Sequence, residues 1–302
     1  MALGYDGTMF ILAFDHRGSF KKMFGAGDDA TPEQVEQFKS TKSLVWEGFL
    51  SSIEQGAPAD KAGVLVDEEM GEAVARAAKE RGFQFAMPVE KSGQPLFDFE
   101  YGEDFGAHIE KFDPSFSKVL VRWNPGDDAE DNRVQGERLK RLGDWLHAND
   151  RTYLFELLVP ATDADMAKVD GDSRRYDLEI RPDLTIAAIE QIQAAGIEPD
   201  IWKIEGLDDR ADCERLATLI RSEGRDNVVA VVLGRGADDA AVDHWLEQGA
   251  PVEGYAGFAI GRSIWTGGVK AHLAGEISRE EAAQQIGANF KRFIDVYQSA
   301  QG

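Results

Sequence analysis

Eight short apolar runs recur along the chain, most of them followed by a stretch with helical patterning. That alternation restricts the fold more than any single residue does. The runs are MFILAFD (9–15), AGVLVDE (62–68), FQFAMPV (83–89), SKVLVRW (117–123), TYLFELLV (152–159), DIWKIEG (200–206), NVVAVVLG (227–234) and YAGFAIG (255–261). Most are rich in β-branched or aromatic residues, as strands are. Near-continuous apolar runs suit parallel strands covered by helices on both faces. The intervening segments carry helix signals. Thr31 reads as an N-cap with Pro32 at the first helical position, Gly82 as a C-terminal stop and Ser278 as the cap of the last helix. Strand–helix alternation argues for α/β architecture. Eight units in this length predict a (β/α)8 TIM barrel, one domain over residues 1–302. An open doubly wound sheet is the alternative, but no G-x-G-x-x-G follows an early strand. Two connections, 90–114 and 160–182, read as long loops after the third and fifth strands. Both would lie at the C-terminal face, where barrel active sites are built.

The bulk composition excludes several classes. The formal net charge is -22, with Asp+Glu 55 against Lys+Arg 33. Nucleic-acid binding usually needs a basic face, so no nucleic-acid partner is expected. No apolar stretch reaches the length of a membrane span. The N-terminus shows neither a basic region nor a small-residue cleavage site. The single cysteine, Cys213, permits no intramolecular disulfide and reads as inert; a cytoplasmic setting is expected. A negative field repels anionic substrates, so an anionic ligand would require local arginines.

The informative residues are charges where strands should be apolar. In a barrel, alternate strand residues point inward. Inside or just after the runs stand Asp15, Asp67, Glu68, Glu90, Lys118, Arg122, Glu156, Lys203, Glu205, Arg235 and Arg262. Lysine is almost never fully buried unless paired. Lys203 in DIWKIEG therefore reads in one of two ways. An amine among apolar groups or other cations has a lowered pKa and can attack a carbonyl. The structural alternative is a salt bridge with Glu156 or Glu205. Glu156, if it faces inward, is expected to have a raised pKa and to serve as an acid or base. Otherwise it is an ion-pair partner for a lysine. Lys118 and Arg122 lie four apart and share a face. Either would serve as a second cation, unless Lys118 is merely solvated at the barrel bottom. Asp15 ends the first run and reads as a hydroxyl ligand, an orienting group or a turn residue. His16 and Arg17 follow it in the first loop.

The glycines point to an anion site. VVLGRGADD and GFAIGRSIW end the seventh and eighth runs. Loops after those strands often bind phosphate in barrels. Gly234 and Gly261 would open backbone N–H groups to it, and Arg235 and Arg262 would add charge-assisted bonds. No metal site is expected. The five histidines are scattered, and Asp67, Glu68 and Glu69 read more readily as a helix cap than as oxygen ligands for Mg2+.

ILAFDHRGSFKKMF, VLVDEEMG, KVLVRWNP, LFELLVP, WKIEG and GFAIGRSIW, taken in order, resemble the class I aldolases of the tagatose-bisphosphate aldolase type. The resemblance is closest to the aldolase domain of bacterial myo-inositol catabolism, which is associated with 2-deoxy-5-keto-gluconate 6-phosphate. It runs from Phe10 to Trp265. It implies a barrel in which Lys203 forms the Schiff base, Glu156 shuttles protons, and Asp15 and Lys118 complete the catalytic set. It also implies that Arg262 holds phosphate. His16 stands where the family pattern has glutamine, Arg122 has no charged counterpart in the tagatose type, and LGRGAD replaces a serine-glycine phosphate loop. The expected activity is cleavage of a phosphorylated sugar or sugar acid to dihydroxyacetone phosphate and an aldehyde, without a cofactor. Phosphate would rest on Gly234, Arg235, Gly261 and Arg262, and the far carboxylate on Arg122 or Arg17. Another ketose phosphate, such as a sulfosugar phosphate or tagatose bisphosphate, is the second reading. A non-catalytic sugar-phosphate binding barrel is the third. A homo-oligomer is possible, because WEGF and IWTGG read as either interface or packing.

Overall fold

A computed structural model describes residues 3–27 and 29–302. Its eight strands are β1 (Met9–Ala13), β2 (Ala62–Leu65), β3 (Gln84–Pro88), β4 (Phe116–Arg122), β5 (Thr152–Leu158), β6 (Ile201–Glu205), β7 (Val229–Leu233) and β8 (Tyr255–Ile260). Seven of the eight predicted runs contain one, and β4 begins one residue ahead of the run at 117–123. The strands pair in sequence order and the sheet closes on itself, since β1 is parallel to both β2 and β8. The chain is thus the expected (β/α)8 barrel. Closure leaves no sheet edge among these strands.

Among the described residues twelve α-helices accompany them: α1 (Gly18–Met23), α2 (Pro32–Glu54), α3 (Glu68–Glu80), α4 (Phe105–Phe112), α5 (Ala129–Ala148), α6 (Asp163–Lys168), α7 (Ser173–Arg175), α8 (Arg181–Ala194), α9 (Arg210–Ile220), α10 (Asp239–Gly249), α11 (Arg262–Leu273) and α12 (Arg279–Gln301). The caps follow the sequence. Thr31 and Ser278 each form a capping box with the residue three positions on, and Gly82 follows α3 at φ +74°. Asp67 caps α3 by accepting from Met70 N at 2.9 Å. None of these helices is long and apolar enough to cross a membrane.

The two long connections are more ordered than their sequence suggested. Segment 90–114 ends in a 3-10 turn and α4, and segment 160–182 holds α6, α7 and a π-helical turn at Tyr176–Ile180. Phe105, Ile109 and Phe112 recur at helical spacing and are buried, which is the signal for α4. WEGF and IWTGG are packing: Trp46, Phe49, Ile264 and Trp265 are all buried.

Apolar residues fill the core in two shells. One lies between barrel and helices. The other lies inside the barrel and includes Ile11, Leu65, Phe116, Leu154, Ile201 and Val231. Strand alternation then decides what lies above that inner layer. Two residues beyond Phe116, Leu154 and Ile201 come Lys118, Glu156 and Lys203. Pairing Lys118 with Leu154, and Glu156 with Lys203, fixes their relative heights. The chain therefore closes the barrel bottom with hydrocarbon and places its ionic layer just above.

Candidate active site

Above the inner apolar layer opens a cavity of about 500 Å3. Its lining includes Asp15, Arg17, Glu90, Lys118, Arg122, Glu156, Lys203, Glu205, Arg235, Gly261 and Arg262. Of the residues singled out by sequence, Asp67, Glu68 and Gly234 do not line it. Gly234 instead closes a turn, its carbonyl accepting from Ala237 N at 2.9 Å.

The centre is an alternating network of amines and carboxylates. Lys203 is 2% exposed. Its Nζ lies 3.0 Å from Glu156 Oε2. The same oxygen lies 3.0 Å from Lys118 Nζ. Lys118 also donates to Asp15 Oδ2 at 2.8 Å and Glu90 Oε1 at 2.9 Å. It is 1% exposed, so it is no solvated lysine at the barrel bottom. Without these partners, burying two amines this completely would be prohibitive.

Charge and burial act in opposite directions here, and the winner differs by residue. Burial raises the Asp15 carboxyl, but the Lys118 and Lys203 charges outweigh it and hold the group far below its ordinary range. Burial also raises Glu156, and Lys118 and Lys203 again prevail, leaving it lowered. The sequence-based expectation of a raised Glu156 is thereby corrected: one oxygen shared by two ammonium groups outweighs desolvation. Burial would lower Lys118, but Asp15, Glu156 and Glu90 drive it up and keep it an ammonium. Glu90 is the exception. Burial raises it by more than Lys118 and Arg17 lower it, so its net shift is upward.

Two buried side chains shape the first loop. Lys42 on α2 is fully buried and donates to the carbonyls of Phe14 and His16 and to the Asp67 carboxylate. Trp265 on α11 donates Nε1 to Ala13 O at 3.0 Å. Asp15 is therefore flanked by three tethered carbonyls. His16 packs edge-on to Trp265, with ring centroids 5.8 Å apart. Burial lowers the His16 imidazole, Asp15 resists, and Lys42, Arg262 and Lys203 add to the lowering; the result is about 4. His16 is thus a neutral ring at pH 7.

The four arginines divide into two kinds. Arg17 is buried, donating to Glu90 O at 2.8 Å and lying 3.2 Å from Glu100 Oε2. Arg235 is clamped by Glu205 at 2.9 Å and Asp177 at 2.8 Å. Both therefore have carboxylate partners. Among the described residues Arg122 bonds the Gln94 carbonyl alone, at 3.4 Å, and Arg262 the Arg235 carbonyl alone, at 3.1 Å. Among the described residues neither has a carboxylate partner. Arg262 opens α11 just after Gly261. A Cβ at Gly261 would sit 2.2 Å from Ala13 O, and one at Gly236 would sit 3.0 Å from the Arg262 guanidinium. Bare backbone at these two positions allows β8 to meet β1 and the arginine to lie against the strand-7 loop.

Sequence reasoning missed four contributors. Glu90 was noted as a strand-end charge but given no role. Lys42 lies mid-helix, with no local pattern to mark it. Trp265 and Gly236 lie in GFAIGRSIW and VVLGRGADD, where the arginines carry the recognisable signal. The acidic trio after β2 disperses: Asp67 pairs with Lys42, Glu68 accepts from the Tyr101 hydroxyl at 2.6 Å, and Glu69 pairs with Lys21 at 2.6 Å. Cys213 is buried and its thiol is pushed up to about 11 by burial, in keeping with an inert side chain.

Known proteins share this fold and parts of this sequence. The chain is 25% identical to tagatose 1,6-diphosphate aldolase 2 of Streptococcus agalactiae serotype III (strain NEM316), over 93% of this chain and 86% of that protein. It is 27% identical to tagatose 1,6-diphosphate aldolase of Listeria monocytogenes serotype 4b (strain CLIP80459), over 66% of this chain and 56% of that protein. Among solved structures, fructose-bisphosphate aldolase from Plasmodium falciparum superimposes with a TM-score of 0.67 at 14% identity, over 97% of this chain and 91% of that one. At that identity the likeness concerns the fold alone. Residues 5–301 match one family model throughout, and the chain belongs to that family, described as an uncharacterized protein conserved in bacteria (DUF2090).

Proposed function

We propose that this protein is a class I aldolase acting on a phosphorylated keto-sugar acid, with Lys203 as the amine nucleophile. One observation carries the reading. A nearly inaccessible lysine on β6 faces a carboxylate on β5 and a second lysine on β4, at the floor of an open cavity. The relatives' names support it, since both are called aldolases of tagatose 1,6-diphosphate, a phosphorylated ketose.

In this reading the Lys203 amine adds to the substrate ketone and water leaves, giving an iminium. The iminium draws electrons from the adjacent carbon–carbon bond. The hydroxyl on the departing carbon gives its proton to Glu156 or to a water, the bond breaks, and an aldehyde leaves an enamine. Protonation of the enamine and hydrolysis return the ketone product and the free amine. Lys118, held as an ammonium, keeps Glu156 ionised and ready to accept the proton. Asp15 accepts a substrate hydroxyl.

The arginines with no carboxylate partner set the substrate class. Arg262, beside Gly261 and Gly236, takes phosphate, aided by the N-terminus of α11. Arg122 takes a second anion on the β4 side. A carboxylate there fits 2-deoxy-5-keto-gluconate 6-phosphate, whose cleavage yields dihydroxyacetone phosphate and malonate semialdehyde. Arg17 and Arg235, already matched by carboxylates, act as supports for the wall. Borohydride reduction with dihydroxyacetone phosphate tests the chemistry: an adduct on Lys203 is expected, and its absence overturns the reading. A panel of ketose phosphates, read by release of dihydroxyacetone phosphate, tests the substrate; faster cleavage of tagatose bisphosphate than of the keto acid would overturn the carboxylate assignment.

A further inference from the structure

The three carboxylates around Lys118 are not equivalent. Glu156 Oε2 meets two ammonium groups. Asp15 feels Lys118, Lys203 and the His16 ring. Glu90 uses only one oxygen: its Oε1 accepts from Lys118 at 2.9 Å and from Arg17 at 3.3 Å. Its Oε2 is buried and, among the described residues, meets no donor. Arg17 is itself divided between Glu90 and Glu100. A buried carboxylate oxygen with no donor is costly when charged and much less so when protonated.

Charge balance gives that carboxylate a task. With Lys203 as ammonium, Asp15, Glu90 and Glu156 face Lys118 and Lys203, and Arg17 adds a charge that Glu90 shares with Glu100. The amine can attack a ketone only after it sheds a proton. That loss leaves an excess negative charge among side chains almost wholly buried at the cavity floor, where a carboxylate already in contact with the amines is placed to take the proton. We propose that Glu90 is the proton store of the site, receiving the proton that Lys203 gives up and returning it when the carbinolamine loses water.

The transfer balances along contacts already in place, the 3.0 Å ion pairs of Glu156 with Lys203 and Lys118 and the Lys118–Glu90 hydrogen bond. Lys203 passes a proton to Glu156, Lys118 passes one to Glu90, and the Glu156 proton moves to Lys118. Lys203 is then an amine, Lys118 an ammonium again, Glu156 a carboxylate and Glu90 an acid. The amine adds to the ketone, and its own proton moves to the new oxygen. Reverse transfer from Glu90 protonates that hydroxyl, water departs, and the iminium carries the positive charge. The titratable and charged groups around Glu90 are Arg17 and Asp15 from the first loop, Glu100 on its own loop, Lys118 on β4, Tyr153 and Glu156 on β5, and Lys203 on β6. Their combined effect agrees with the geometry, since Glu90 is shifted upward while Asp15 and Glu156 are shifted downward.

The inference rests on the aldolase reading, and the test separates the two. The probe is dihydroxyacetone phosphate with borohydride. The readout is the rate of adduct formation on Lys203 by intact mass between pH 5 and 9. In Glu90→Gln the adduct still forms, about a hundred-fold more slowly, and the rate loses its dependence on the Glu90 ionisation. Glu90→Asp regains that pH dependence at an intermediate rate and serves if the glutamine variant does not fold. No adduct in the wild type overturns both readings. A wild-type adduct with an unchanged rate and profile in Glu90→Gln, or in Glu90→Asp, overturns the proton store alone.

Discussion

Glu156 and Lys203 face each other across adjacent strands, Oε2 to Nζ at 3.0 Å, because the β5–β6 register pairs those two positions directly. Moving either residue one position along its strand would turn its side chain out of the barrel. The ion pair is therefore a property of register as much as of residue identity.

Replacing Lys203 by Met is expected to abolish the borohydride adduct and turnover together. Glu156→Gln should retain a slowly formed adduct and lose about a hundred- to ten-thousand-fold in kcat. Intact mass and a coupled assay for dihydroxyacetone phosphate read both. Full turnover in Lys203→Met would remove the amine from the mechanism.

The two arginines without carboxylate partners should separate in their effects. Arg262→Ala is expected to raise KM for every phosphorylated ketose by about ten- to a hundred-fold, the worth of charged hydrogen bonds. Arg122→Ala should weaken only substrates carrying a second anion. Equal losses on singly and doubly anionic substrates would disprove the assignment of Arg122 to the far end.

Lys42 is expected to matter for stability first. Removing one member of a buried ion pair costs about 3–5 kcal/mol, so Lys42→Met should lower the denaturation midpoint clearly. The double variant Lys42→Met/Asp67→Asn should recover part of the loss, because no buried charge is then left unmatched. Urea melts of the single and double variants decide it; a double variant no more stable than Lys42→Met would count against the pairing.

His16 gives a pH signature. Its ring has an ordinary value of 6.5 and is held at about 4 in the fold. Between those values the unfolded chain binds the proton and the native protein does not. The stability conferred by a neutral His16 is thus present above pH 6.5 and is lost as the pH falls from 6.5 towards 4. His16→Gln should flatten that part of the curve, as read by denaturant melts from pH 7 to 4.5. Parallel curves for the two proteins would show that His16 is not the group responsible.

The barrel was legible because its signal is repeated. Eight apolar runs at similar spacing leave few alternatives, and inward-facing charges such as Lys203, Glu156 and Lys118 break a pattern strict enough to expose them. α4 was harder to see, since Phe105, Ile109 and Phe112 follow a loop rich in turn residues. Long-range balances were not legible at all. The sign of the Glu156 shift depends on how many ammonium groups share one oxygen, and the commitment of Arg17 and Arg235 depends on Glu100, Glu205 and Asp177. Lys42 shows the same limit: its three acceptors lie 25 or more residues away along the chain.

The indole bond from Trp265 to the Ala13 carbonyl has a consequence for synthesis. Residue 13 leaves the ribosome some 250 positions before the side chain that secures its backbone. Until α11 emerges, the turn bearing Asp15 lacks one of its tethers, and β1 still waits for β8. A nascent or truncated chain ending before Trp265 would thus hold every proposed acid, base and nucleophile yet lack their final arrangement, so competence arrives only with the last fifth of translation.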